Sequence, residues 1–269
     1  MVKAKKTLKE RVQNHPIVIS ISLFAGILTF TIGLGANITT VKDFFLNTVL
    51  EKETLAKKVA TLAPEEHIGV YKHVLGEPTI INHNEKNRTK EYVFVNKYFY
   101  VDSVTDNDDK VIYFAITTRD ASFNPVFTSP GYPKNIPSFT ITLGKTTFSD
   151  LKNDNANLPE FITGCAGAHN VGYYETHYLG NPGDYEDFGF GDNESGYVTN
   201  RDLLYSSLPS TLPFCDGTTD ISDEKLQQIK ELRATEAINT YAVAAPYLSI
   251  KDYTSNTLGV NNDQVRILK

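Results

Sequence analysis

Hydrophobic and polar positions change their periodicity along this chain, and the changes predict its elements. The first apolar segment, residues 17–36, contains twenty residues and no charge. As a helix it would be about 30 Å long, which is the thickness of the hydrocarbon core of a bilayer. We therefore predict a transmembrane helix at 17–36, with a cleaved signal peptide and a buried core helix as the alternatives.

The basic residues around this segment predict its orientation. Residues 1–16 form a tail with five basic residues and one acidic residue, whereas few basic residues directly follow residue 36. Lysine and arginine next to a membrane span tend to stay in the cytoplasm. We therefore predict a single-pass protein of the cell membrane, with a cytoplasmic N-terminus and a C-terminal domain outside the cytoplasm. The alternative is a cytoplasmic domain.

Helical spacing of apolar residues continues after the predicted span. Residues 37–63 predict a helical stalk, either a short coiled coil or a helix that lies against the domain. Pro64 and the two glutamates after it predict the start of another helix, which stops at Gly76. A further helix is predicted from Asp223 to about Ala245, because a serine cap precedes it and a proline follows it.

Runs of β-branched and aromatic residues predict strands between these helices. The predicted strands are 91–95, 97–104, 110–118, 138–143 and 172–179. Four prolines between 123 and 137 predict a rigid loop at a boundary. The predicted fold class is therefore α+β, with an antiparallel sheet and packed helices in a first unit at 64–130 and a second at 138–269. Whether these units are one domain or two stays open.

Two segments resemble a known module. In the first, a helix is followed by LGEP at 75–78 and a meander of strands; in the second, GKT at 144–146 leads into a helix, and LGNP follows at 179–182. Both resemble the small α/β units of the outer-membrane assembly lipoprotein SmpA/OmlA and of the β-lactamase-inhibitor protein. TTRDASFNP together with LGKTTF is also similar to membrane-anchored bacterial proteins without an assigned activity. The resemblance implies binding of other proteins, or a scaffold role, without catalysis.

Composition excludes one class of function and suggests a source. The chain carries a net charge of −6 and its tail carries +4, so the remainder carries −10. An acidic domain is a poor partner for phosphate backbones, and we exclude nucleic-acid binding on this ground. The chain has no tryptophan and one methionine but many tyrosines and phenylalanines. This composition suggests an AT-rich bacterial genome.

The two cysteines, Cys165 and Cys215, allow one internal disulfide in an exported domain, or two buried thiols in a cytoplasmic one. Cys165 also belongs to the densest group of reactive side chains, with His169, Glu175 and His177. Alternate residues of a strand share a face, so Glu175 and His177 should lie side by side. The group allows a metal site or a cysteine–histidine nucleophile pair, but it lacks the compact spacing of a zinc motif.

An acidic segment between residues 184 and 194 offers oxygen ligands to a hard cation such as Ca²⁺. Its acidic residues are Asp184, Glu186, Asp187, Asp192 and Glu194. The EF-hand pattern fails, because Phe188 and Ser195 stand at ligand positions. A solvated acidic loop is the default interpretation, and its aromatic residues also suit a protein-binding surface. Gly144-Lys145 lacks the upstream glycine of a phosphate loop, so nucleotide binding is not expected.

The function that these patterns favour is a membrane-anchored binding or scaffold domain, which acts on a protein or ligand at the membrane surface. The anchor would raise the effective concentration of the domain towards its neighbours there. We predict no cofactor. The alternative function is a membrane-tethered hydrolase that uses Cys165 with His169 or His177. The sequence leaves the partner and the oligomeric state open.

Overall fold

A computed structural model describes residues 50–129, 139–151, 161–166, 171–181, 184–202, 204, 223–254 and 258–266, with the backbone alone at 161–166, 181, 184, 224 and 225. The chain divides into two units, residues 1–51 and 52–269, and the fold below belongs to the second unit. The predicted tail and membrane span lie outside the described residues, as do residues 37–49 of the predicted stalk and residues 130–137 of the loop predicted over 123–137. Contrary to that loop prediction, Val126–Ser129 form a strand.

Strands dominate the described chain. They are β1 (Ile80–Asn84), β2 (Thr89–Val95), β3 (Phe99–Thr105), β4 (Val111–Thr118), β5 (Val126–Ser129), β6 (Phe139–Thr142), β7 (Phe161–Ala166), β8 (Val171–Asn181), β9 (Asp184–Asn193) and β10 (Thr240–Ala244). The helices are α1 (50–59), α2 (Ile68–Leu75), α3 (Asp223–Thr235) and α4 (Asn262–Arg266), and short 3₁₀ turns cover Phe148–Asp150 and Ile250–Asp252. The five strands predicted from the sequence are present as β2, β3, β4, β6 and β8.

Eight of these strands form one antiparallel sheet, in the order β1-β2-β3-β4-β10-β9-β8-β7, and β5 and β6 form a separate hairpin. The last strand in the chain, β10, lies between β4 and β9 and pairs with both. It therefore joins the meander β1–β4 to the meander β7–β9. Strands from both predicted units, 64–130 and 138–269, belong to this one sheet.

This architecture corrects the predicted fold class. We expected an α+β domain with packed helices, preceded by a transmembrane helix and a stalk. The described chain is instead mostly antiparallel sheet, and α3, the longest helix in the described ranges, has 13 residues. Within the described ranges, no helix combines the length and the apolar character that crossing a bilayer requires. The prediction of a single-pass transmembrane protein is not supported and is withdrawn. Its proposed span, 17–36, lies outside those ranges.

Two local predictions fail for the same physical reason. The helix predicted from Asp223 to about Ala245 ends at Thr235, and Thr240–Ala244 is β10, in which every residue is buried. The predicted acidic loop at 184–194 is strand β9, with Phe188 and Phe190 in the core. A strand that is covered on both faces lacks a simple alternation of polar and apolar residues, so periodicity does not identify it.

One face of the sheet, here called the core face, carries the main hydrophobic core. Phe114, Tyr241, Phe188 and Phe190 lie on it and are buried. The hairpin β5–β6 packs above them, with the ring of Phe139 about edge-on to Phe188 and Phe190 at centroid distances of 5.1 and 5.0 Å. Helices α2 and α3 contribute buried residues to the same cluster.

The C-terminal segment, described at residues 246–254 and 258–266, covers the opposite face, here called the C-terminal face. Ile250 and Leu258 pack there against Tyr113, Ala115 and the alanines of β10. Gly189 allows this approach, because a Cβ atom at Gly189 would lie 2.9 Å from Cδ2 of Leu258 and 3.0 Å from Cδ1 of Ile250. The absence of a side chain at Gly189 therefore allows the C-terminal segment to lie this close to the sheet.

Candidate functional site

The acidic residues proposed as calcium ligands do not converge. Asp187 faces the C-terminal segment, and its Oδ2 accepts hydrogen bonds from the amide of Ile250 at 2.9 Å and from Oγ of Ser249 at 3.1 Å. Asp192 faces the core, where its Oδ1 accepts from Asn239 Nδ2 at 2.8 Å. In strand β9, alternation thus places them on opposite faces. Among the described residues, no group of three His, Cys, Asp or Glu side chains is placed to hold a metal.

The cysteine and histidine candidates are also separated. Cys165 lies in β7 opposite Gly172 of β8, whereas Thr176, the neighbour of His177, pairs with Phe161. Five residues along β8 from Gly172 to His177 span about 17 Å, which is beyond the reach of a cysteine–histidine pair. His169 and Cys215 lie outside the described residues. The disulfide and a pairing of Cys165 with His169 therefore stay predictions.

Glu175 and His177 do lie together, as their alternation in a strand predicts. Glu175 is completely buried, and its Oε2 lies 3.2 Å from Nε2 of His177. Its Oε1 accepts a hydrogen bond of 2.5 Å from the hydroxyl of Tyr173 and lies 3.2 Å from Nε of Arg233. The carboxylate therefore has a hydrogen-bond donor or cation on every side, which offsets much of the cost of burying its charge.

This polar cluster, consisting of Tyr173, Glu175, His177 and Arg233, ties separate elements together. Arg233 lies in the last turn of α3 and also donates to the carbonyl of Phe148 at 3.3 Å. Burial, followed by the negative charge of Glu175, raises the pKa of Tyr173 well above its usual value, so the phenol keeps its proton as a donor. The cluster contains a base and an orienting carboxylate but no nucleophile, and it suits a structural role better than catalysis.

A more open site lies on the C-terminal face beside β1. It is a groove of about 460 Å³ whose lining includes Asn82, Asn84, Glu85, Glu91, Asp252 and Tyr253. Its volume falls within the range of ligand pockets, about 300–1,000 Å³. Carboxylates and amides prevail in this lining, and no lysine or arginine lies among the described residues that form it. The groove therefore suits a ligand with positive charge and hydrogen-bond donors.

Contacts among the sheet, helix α4 and Tyr253 hold the groove in shape. Glu91 of β2 is held from both sides, because Asn82 Nδ2 donates to its Oε2 at 2.7 Å and Gln264 Nε2 of α4 donates to its Oε1 at 2.8 Å. Tyr253 is stacked on Tyr113 of β4, with the ring centroids 5.6 Å apart. The ligand-facing groups are thus fixed by the sheet and by the C-terminal segment together.

A buried carboxyl group lies close to the acidic groove. Asp102 lies on the same face in β3, is 5% exposed, and its Oδ1 has no hydrogen-bond partner in the part of the chain that the structure describes. Burial, and after it the negative charge of Glu91, raises the pKa of Asp102 well above its usual value. The negative charge of Glu91 therefore acts on Asp102, its neighbour on the same face of the sheet.

Sequence reasoning missed this groove. The polar stretch from residue 80 to 90 lacks the alternation of a half-buried strand, because β1 is exposed at every residue after Ile80. Asp252 and Tyr253 come from a segment some 160 residues further along the chain. The one usable signal was the asparagine-rich turn after β1, where Asn84 Oδ1 accepts from the amide of Asn87 at 3.2 Å. No local pattern brings these two segments together.

The resemblance to SmpA/OmlA and to the β-lactamase-inhibitor protein stays a prediction. The parts that carry it are present as α2 followed by the meander β1–β4, and as the turn at 144–146 followed by a 3₁₀ turn at Phe148–Asp150. Residues 152–160, where the expected helix would continue, lie outside the described residues. Comparison of the chain with protein-family models, with curated proteins and with solved structures finds no match.

Proposed function

We propose that this protein is a binding domain without catalysis of its own, which holds an extended basic segment of a partner protein along β1 and in the groove beside it. The observation that carries the proposal is the lining of the groove. Glu85, Glu91 and Asp252 bring three carboxylates to one cavity, and the described lining contains no lysine or arginine. Such a cavity attracts a cation and repels an anion.

The edge strand supports an extended partner rather than a compact one. Among the strands that the structure describes, β1 lies at the end of the sheet and pairs only with β2. Natural edge strands are usually protected by lysine, proline or a bulge, and the sequence of β1, IINHN, contains neither lysine nor proline. Its Ile81 is 46% exposed. An added strand would pair with this edge and cover Ile81, which is a known mode of peptide recognition.

Groove and edge are adjacent, because Asn82 and Asn84 belong to both. A strand added to β1 would place alternate side chains on the face that carries the groove. A lysine or arginine at one of these positions would meet the carboxylates, and its charge would also be favourable near the ring of Tyr253. The backbone would supply affinity, and the groove would supply selectivity for a basic residue.

Fluorescence anisotropy with two labelled, end-blocked nonapeptides tests this proposal on the full-length protein. One peptide alternates lysine with threonine, and the other alternates glutamate with threonine. We expect only the lysine peptide to bind at an ionic strength of about 0.05 M, and we expect added salt to weaken its binding. Equal binding of both peptides, or of neither, would contradict the proposal.

Two sets of variants separate the groove from the edge. Glu85→Gln with Asp252→Asn should weaken binding of the lysine peptide by about tenfold, whereas Glu53→Gln with Glu231→Gln removes two exposed carboxylates elsewhere and should leave it nearly unchanged. Ile81→Lys places a charge on the edge and should also weaken binding, and Val126→Lys is the matched exposed control in β5. If spermine binds but Ile81→Lys has no effect on the peptide, the groove takes small amines and the proposed strand pairing is wrong.

A further inference from the structure

A second acidic feature lies on the core face and is independent of the groove. It consists of Asp192 in β9 and Glu236, which follows directly after α3; the two are here called the acid pair. Their side chains are 1% and 0% exposed. The calcium ligands expected from sequence were all within 184–194, and Glu236 was not among them. The fold therefore gives Asp192 a partner that the linear pattern did not indicate.

Each carboxylate has one oxygen bound and one oxygen unbound. Oδ1 of Asp192 accepts from Asn239 Nδ2 at 2.8 Å, and Oε2 of Glu236 accepts from the amide of Asn200 at 3.2 Å. Oδ2 of Asp192 and Oε1 of Glu236 are buried and have no hydrogen-bond partner among the residues that the structure describes. Buried polar atoms in proteins are nearly always satisfied, so these two oxygens are available to coordinate a ligand.

The charge of Glu236 also acts on Asp192. Burial raises the pKa of Asp192 well above its usual value, and the negative charge of Glu236 raises it further, while Arg201 acts in the opposite direction. Arg201 donates its NH2 group to the carbonyl of Glu194 at 3.2 Å. No ion pair between described residues includes Asp192 or Glu236. A buried carboxylate that stays ionised needs a counter-charge.

We propose that Asp192 and Glu236 bind a hard divalent cation, Ca²⁺ or Mg²⁺, through the two oxygens that the protein leaves without a partner. Carboxylate oxygens are the preferred ligands of both ions, and Mg²⁺ is commonly held by one or two carboxylates with water completing its shell. Asn239 and the amide of Asn200 keep the carboxylates in place. The cation would join β9 to the end of α3, close to the polar cluster.

Thermal unfolding of the full-length protein in EDTA, Ca²⁺ and Mg²⁺ tests the site. A cation at about 100 times its Kd should raise Tm by roughly 5–10 °C. Asp192→Asn and Glu236→Gln should each abolish the rise. Glu186→Gln removes a carboxylate from the same strand and should keep the full rise, so it is the matched control.

Terbium luminescence gives a second measurement that does not depend on stability. The chain has no tryptophan, and Tyr173 lies directly across from Asp192 in the sheet. Tb³⁺ in the acid pair should therefore emit on excitation of tyrosine, and Ca²⁺ should quench this emission by competition. Asp192→Asn should lose the emission, and Glu186→Gln should keep it.

Two results would overturn the proposal. One is a wild-type Tm that is the same in EDTA and in both cations, because a cation that binds the folded state must raise Tm. The other is a Tm rise or terbium emission that survives in both Asp192→Asn and Glu236→Gln, because the cation would then bind elsewhere.

Discussion

Arg233 lies with its Nε 3.2 Å from Oε1 of Glu175, in a site where the Glu175 side chain is completely buried. This ion pair connects α3 to β8 through the core. Removing one partner leaves the other as an unpaired buried charge, which typically costs about 3–5 kcal/mol.

We therefore expect Arg233→Met to lower the free energy of unfolding by about 3–5 kcal/mol, measured by urea denaturation at pH 7. The double variant Arg233→Met with Glu175→Met removes both charges and should recover much of this loss. Arg266→Met removes an exposed arginine and should change stability by less than about 0.5 kcal/mol. A small effect of Arg233→Met would mean that the pair contributes little.

Asp102 predicts a pH dependence of stability. Its pKa is raised in the folded protein, mainly by burial and then by the charge of Glu91, so the folded state holds this proton more tightly than the unfolded chain. The free energy of unfolding should therefore rise as the pH falls from above the folded pKa towards the ordinary aspartate value, by about 1.4 kcal/mol for each unit between the two pKa values.

Asp102→Asn should lose this component and be more stable than the wild type at pH 8. Denaturation curves of both proteins between pH 4 and pH 9 check the prediction. Asp263→Asn is the control, since it replaces a carboxylate of α4 that is about half exposed. Parallel pH profiles for wild type and Asp102→Asn would show that Asp102 does not carry the effect.

The packing at Gly189 leaves little space for a side chain on the C-terminal face. Because its Cβ would lie 2.9 Å from Leu258, Gly189→Ala should destabilise the protein by about 1–3 kcal/mol. Gly191→Ala is the matched control. A Cβ atom at Gly191 would lie 3.2 Å from Cβ of Leu258, so this substitution should destabilise the protein less. Leu258→Ala in the Gly189→Ala background should recover part of the loss. An equal cost at both glycines would argue against this contact.

The side-chain amide of Asn239 makes several buried hydrogen bonds, and we expect it to contribute strongly to stability. Its Nδ2 donates to Asp192 Oδ1, to the Asn193 carbonyl and to the Tyr197 carbonyl, and its Oδ1 accepts from the amide of Asn193 at 2.8 Å. Asn239→Ala should lower the free energy of unfolding by about 2–4 kcal/mol, since several buried groups lose their partner. Asn87→Ala, at an exposed turn, should have little effect on the same denaturation curve.

The sequence predicted the elements whose pattern is local. Strands β2, β3 and β4 follow each other along the chain, alternate in a recognisable way and are joined by short turns. The side-by-side position of Glu175 and His177 also follows from their spacing in one strand. The predicted helix starting at Asp223 is present for the same reason, since its cap and first turn are encoded next to it.

The tertiary structure decided the elements whose form depends on distant partners. β10 and β9 are strands because each is paired on both sides and covered on both faces, and neither condition can be read from a short window of sequence. Glu236 acts on Asp192, and Tyr253 lines a groove with the turn after β1, although each pair is far apart along the chain. Local patterns thus determined where the chain forms its simpler strands, whereas long-range pairing determined which side chains share a site, because burial depends on the complete fold.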